Sequence, residues 1–107
     1  MKDFDKIIWR NALTFVDFFA VWCGTCRAMT PVIDRFQKQM NGRADVYRMD
    51  IEDTDLLEIV RRYNIVSVPT LMFFRRGEVL WRGSGRVDYE HLVNVLNELE
   101  KHEHVLL

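Results

Sequence analysis

Trp22-Cys23-Gly24-Thr25-Cys26 holds both cysteines of the 107-residue chain. Positions 23 and 26 are one helical turn apart, so on a helix the two sulfurs meet. The pair can then serve as a dithiol, a small-loop disulfide or half of a metal site. Cys23 falls where an apolar run gives way to a helix-forming one. In the first turn of that helix it would face unpaired backbone N–H groups and the positive end of the helix dipole, which favour thiolate over thiol and mark it as the nucleophile. Cys26, one turn further in and more buried, suits the resolving role: it attacks a mixed disulfide formed at Cys23 and releases the reduced substrate.

A structural zinc site needs four ligands. Beyond the two sulfurs the sequence offers only His91, His102 and His104, all in or after the last helix, so no metal is expected. Two small core residues are a poor alternative for cysteines that follow a tryptophan and flank Gly24-Thr25. Asp17, six residues before Cys23, interrupts an apolar run. A buried carboxylate tends to hold its proton, which makes Asp17 a candidate proton acceptor for Cys26. A structural pairing with Arg48 on the neighbouring strand is the competing role, and the nearby cysteines favour the proton-transfer one. Pro69, after Ser67-Val68 and before a strand-like run, suggests a tight turn in which a cis bond can occur.

The elements that must position these residues follow from periodicity. Asp3 to Arg10 forms a short amphipathic helix with Asp3 as N-cap. Leu13 to Ala20 is apolar on both alternating faces, as in a strand covered on both sides. From Cys23 to Met40, Ala28, Val32, Phe36 and Met40 recur every four residues in a helix that Pro31 should bend and Asn41-Gly42 should stop. Asp45 to Asp50 is a second strand. Asp53 or Thr54 caps a helix with Leu56, Ile59, Val60 and Tyr63 on one face, broken at Asn64. Leu71–Phe74 and Val79–Trp81 form a hairpin through Arg75-Arg76-Gly77-Glu78, with a bulge or bend expected at Gly83 and Gly85. Asp88 caps a last helix presenting Leu92, Val95, Leu96 and Leu99, and Lys101 to Leu107 reads as a frayed tail.

A single domain fits the length. With 49% hydrophobic and 29% charged residues the composition is that of a globular protein. A formal charge of -1 provides no field to collect nucleic acid or an anionic membrane. Met1 to Lys6 has acidic residues where an export signal would be basic and then apolar, so a cytoplasmic location is expected, and no run approaches membrane-spanning length.

Val16-Asp17-Phe18-Phe19-Ala20 leading to Trp22-Cys23-Gly24-Thr25-Cys26-Arg27, then Pro31, Tyr63-Asn64-Ile65, Val68-Pro69-Thr70, Gly77 and Gly85 together resemble the thioredoxin family, in family order over nearly the whole chain. The resemblance implies an α/β, thioredoxin-like fold with a central mixed sheet, a kink at Pro31 and a cis Pro69 beside the sulfurs. It implies a protein-disulfide reductase in which Cys23 attacks, Cys26 resolves and forms the redox-active disulfide with Cys23, and Asp17 assists proton transfer. Trp22, Gly24, Thr25, Val68, Pro69 and Gly85 would form the surface on which an extended substrate docks. The partners implied are protein disulfides and an NADPH-using flavin reductase, and the chain itself would bind no cofactor.

Two positions depart from the family pattern. Where such proteins usually begin with a strand, Met1 to Arg10 reads directly as helix. Four strands flanked by four helices are therefore expected, with the strand at Asp45 to Asp50 on an edge; a monomer is expected, an edge-strand dimer being the alternative. Thr25 replaces the proline usual in reducing members and should make the dithiol a weaker reductant. That motivates a second function, a thiol oxidant, isomerase or periplasmic redox partner. A non-catalytic binding module is a third, against which the cysteines, Asp17 and Pro69 all count.

Overall fold

The computed structural model describes the backbone of residues 2–106 and the side chains of residues 3–102. Alternating apolar residues on β1 (Leu13–Phe19) divide the core into two layers. Leu13 and Phe15 face α2 (Gly24–Gln39) and α4 (Tyr89–Leu106), where Phe36, Ile33, Leu92 and Leu96 close around them. Val16 and Phe18 face the other side, packing with Phe4 and Ile8 of α1 (Lys2–Ile8) and Ile59 of α3 (Leu57–Arg62). Phe15, Phe36 and Phe73 meet with ring centroids 4.9 to 6.1 Å apart. Burial on both faces explains why β1 shows no polar alternation.

Four strands form one mixed sheet in the order β2-β1-β3-β4. β2 (Ala44–Asp50) runs parallel to β1 after the α2 crossover and lies at an edge, as expected. β3 (Thr70–Arg75) is antiparallel to β1, and β4 (Glu78–Ser84) is antiparallel to β3. Arg76 and Gly77, with φ of 52° and 79°, make a two-residue turn of the kind that matches strand twist. A Cβ at Gly77 would come within 2.6 Å of the Trp9 ring, so the glycine also lets the tryptophan lie against the turn.

Several boundaries differ from the sequence expectations. Asp3 lies inside the first turn of α1 rather than capping it. Asp53 does cap, but it begins a 3-10 turn (Thr54–Leu56) that leads into α3; its side chain accepts from the Asp55 N–H. The hairpin irregularity falls between Phe73 and Phe74, opposite Trp81 and Val79, and not at Gly83, which pairs regularly with Leu71. Gly83 is needed because the Trp81 ring covers it: a Cβ there would sit 2.6 Å from that ring. The expected bend does occur at Gly85, which has a φ of 75°. Finally, α4 runs to Leu106 instead of fraying at Lys101, while Leu107 and the side chains of Glu103 and His104 lie outside the described residues.

Candidate functional site

Cys23 is the N-cap of α2, with extended backbone. Its Sγ accepts the backbone N–H of Cys26 at 3.1 Å, taking one of the donors that a helix start leaves unpaired. Toward the other side the thiol reaches the carbonyl of Val68 at 3.7 Å, across the cis Val68–Pro69 bond that the family resemblance implied. Neither sulfur is joined in a disulfide in this structure. Ala20, Cys23 and Cys26 pack as a small cluster with Phe19, Ile51 and Val68, and Cys26 is fully enclosed at 1% exposure. Burial, followed by its hydrogen bond with Cys23, pushes the Cys26 thiol up to about 11, although a hydrogen bond with the Ala20 backbone pulls the other way. The two sulfurs are therefore unequal by position: one at the helix end, one beneath it.

Asp17 shares its face of β1 with Leu13 and Phe15, the face that α2 covers. It is buried at 1% exposure, and burial raises its pKa above the ordinary carboxylate value. The pairing considered as the competing role is present: Arg48, directly opposite on β2, donates through Nε to Asp17 Oδ2 at 3.1 Å. Arg48 also lies over the Phe19 ring, 4.7 Å from its centroid. The ion pair does not exhaust the carboxylate. Oδ1 is buried and has no hydrogen-bond partner, and the Asp17 charge is felt at Cys26, where it opposes ionisation of the thiol. One oxygen is anchored and the other remains able to take a proton.

Around the sulfurs lies a shallow apolar surface. Trp22 is 63% exposed and Val66 83% exposed. The Trp22 indole N–H donates to Glu52 at 2.7 Å, which fixes the ring. Gly85 joins the surface through its N–H, which donates to the Pro69 carbonyl at 3.0 Å. Gly24 and Thr25 are exposed in the first turn of α2. The structure thus gathers Cys23, Cys26, Val68, Pro69, Trp22 and Gly85 at one rim, with Asp17 below. Glu52 was not singled out from sequence; Arg27, quoted there only as the last residue of the cysteine motif, donates from its guanidinium to the Val21 carbonyl at 2.8 Å. Only the parallel pairing of β1 with β2, which ends both strands at one rim, could have drawn attention to Glu52. His91 lies 6.1 Å from the Trp81 ring, and among the described residues no group of three His, Cys, Asp or Glu is placed to hold a metal. No helix among them is long and apolar enough to cross a membrane.

The family model for thioredoxin matches residues 1–98. A thioredoxin of Staphylococcus epidermidis is 32% identical over 97 residues, covering 91% of this chain and 90% of that protein. A Staphylococcus aureus thioredoxin is 30% identical over 96 residues, covering 90% of this chain and 89% of the relative. Among solved structures, thioredoxin from Trypanosoma brucei brucei superposes with a TM-score of 0.83 at 24% identity, covering 94% of this chain and 86% of that one, a likeness of fold. The chain belongs to the thioredoxin family, and as a member it is a thiol–disulfide oxidoreductase.

Proposed function

We propose that the protein is a single-domain, monomeric protein-disulfide reductase. The thiolate of Cys23 attacks one sulfur of a substrate disulfide; the substrate S–S bond breaks, a Cys23–substrate bond forms, and the departing thiolate takes up a proton. Cys26 then gives its proton to the free Oδ1 of Asp17 and attacks Cys23 Sγ. The mixed disulfide breaks, the second substrate thiol leaves, and a Cys23–Cys26 disulfide remains, so two electrons have passed to the substrate. Trp22, Gly24, Thr25, Pro69, Gly85 and the backbone of Val68 receive the substrate segment. One observation carries this assignment: the N-cap sulfur of Cys23 lies within 3.7 Å of the Val68 carbonyl, while the Cys26 thiol beneath it is pushed up to about 11. A thiol held in its protonated form by burial needs a nearby base before it can resolve anything.

Thr25 supports a second direction of flow, from substrate thiols to an oxidised protein, because residues between the cysteines set the relative stability of dithiol and disulfide; for this couple about 30 mV corresponds to about 1.4 kcal/mol. One set of measurements separates the two. The wild-type protein should accelerate reduction of a protein disulfide by dithiothreitol, keep doing so when NADPH and a flavin reductase supply the electrons, and pass largely into the Cys23–Cys26 disulfide at equilibrium with an oxidising glutathione mixture, as a low-potential dithiol must, whereas a strong oxidant would stay a dithiol there. A potential near that of strong oxidants would overturn the reductase assignment, and a dimer in sedimentation would remove the monomer.

A further inference from the structure

The strand order places the loops of the functional rim in a line. β1 and β2 are parallel and end together; β3 starts at that end, and β4 returns to it. Across the rim one therefore meets the segment after β2, then Val21 to Cys26, then Val66 to Pro69, then Gly85 to Asp88. Strand spacings of about 4.8 Å make the distance from the β2 edge to the β4 edge about 14 Å.

Apart from Arg27, whose guanidinium is turned onto the Val21 carbonyl, the charges along this line are sorted. Asp50 ends β2 and Glu52, Asp53 and Asp55 follow it, with no lysine or arginine between Met49 and Leu57. Glu52 is tied to the docking surface through the Trp22 indole. At the opposite end is Arg86, which follows Gly85, the residue bonded to Pro69. Arg86 is exposed, has no hydrogen-bond or ion-pair partner among the described residues, and lines a cavity of about 250 Å³ with Val87, Asp88 and His91. Asp88 shares that cavity, but it stands at the start of α4, where the Leu92 N–H donates to its carbonyl and the helix dipole offsets its charge. The dithiol and the exposed Val21, Trp22 and Val66 lie between the two charged ends.

We propose that this rim selects substrate segments by charge polarity. It favours an extended protein segment whose disulfide cysteine has a basic side chain on the flank facing Glu52 and Asp53 and an acidic one on the flank facing Arg86. Residues two before and two after a cysteine in an extended chain are about 13 Å apart, which matches the separation of the rim's charged ends. The selection rests on the assignment of Cys23 as the attacking sulfur, since it supposes that a substrate disulfide docks at this rim.

Three end-blocked, disulfide-linked peptides test it with the intact protein and dithiothreitol: Lys-Ala-Cys-Ala-Asp, its reversal Asp-Ala-Cys-Ala-Lys, and a neutral version with alanine at both flanks. One charged peptide should have a kcat/KM about 5-fold above its reversal at low salt, as expected for two exposed charge contacts. The preference should fade at about 0.5 M salt, where the screening length falls to a few ångströms. Arg86→Glu, which makes both ends acidic, should remove it. Equal rates for the two charged peptides in the wild-type protein, or a preference that survives Arg86→Glu, would overturn the proposal. Failure to reduce even the neutral peptide would instead overturn the reductase assignment on which it stands.

Discussion

In the proposed mechanism Asp17 carries two requirements that ordinarily conflict, because a carboxylate held firmly by an arginine is a poor base and a buried unpaired one is costly to keep. Its position resolves the conflict by dividing the work between the oxygens: Oδ2 accepts from Arg48, and Oδ1 is left unpaired under α2. Asp17→Asn keeps the shape and removes the base. Resolution of a mixed disulfide trapped at Cys23 should then slow about 100-fold near pH 7, the lower range for a positioned general base. The deficit should shrink toward pH 11, where the Cys26 thiol ionises unaided. An unchanged rate in stopped-flow measurements would leave Asp17 only a structural role. The same substitution has a stability consequence of definite sign. Burial raises the folded-state pKa, so the folded protein holds this proton longer than the unfolded chain does, and stability is lost as pH rises from about 4 through the raised value. Asp17→Asn lacks that loss, so its melting temperature relative to wild type should climb over the same interval and then level off.

The elements owe their positions to aromatic packing on the two faces of the sheet, which permits a graded prediction. Phe73 is fully buried between Phe15, Phe36 and Trp81. Phe73→Ala should cost about 3–5 kcal/mol by leaving a cavity in that layer. Gly77→Ala forces an alanine to a φ of 79°, at a cost of about 1–2 kcal/mol; Trp9, 67% exposed, is free to shift away. Urea midpoints should fall in that order with unchanged slopes, and equal losses would contradict the layered core. The apolar run of β1, the period of α2 and the Arg76-Gly77 turn were legible in the sequence because each depends on local pattern. The bulge in β4 was not, because it depends on where the Trp81 ring lies, and that packing is set by Phe73 on another strand. The length of α4 is hidden from the sequence for a related reason: glutamates and histidines near its end look like a tail, yet Glu100 is held by Arg43 at 2.6 Å.

At the scale of the molecule, a mixed sheet brings four loops to one rim, and that assembly turns two cysteines into a directed exchange site. The cysteine pair, Asp17 and Pro69 could be found by residue type and spacing. The charge line from Glu52 to Arg86 could not, since these residues are distant in sequence and neighbours only through strand order. The order of action proposed for the sulfurs rests on the same arrangement: Cys23 lies at the rim, whereas Cys26, 1% exposed, lies beneath it. Intact-mass spectrometry of Cys26→Ser and Cys23→Ser, each incubated in reduced form with a disulfide-bonded protein substrate, tests that order most directly. Cys26→Ser should accumulate a stable one-to-one adduct that dithiothreitol removes, and Cys23→Ser should form none. An adduct on Cys23→Ser with none on Cys26→Ser would contradict the assignment.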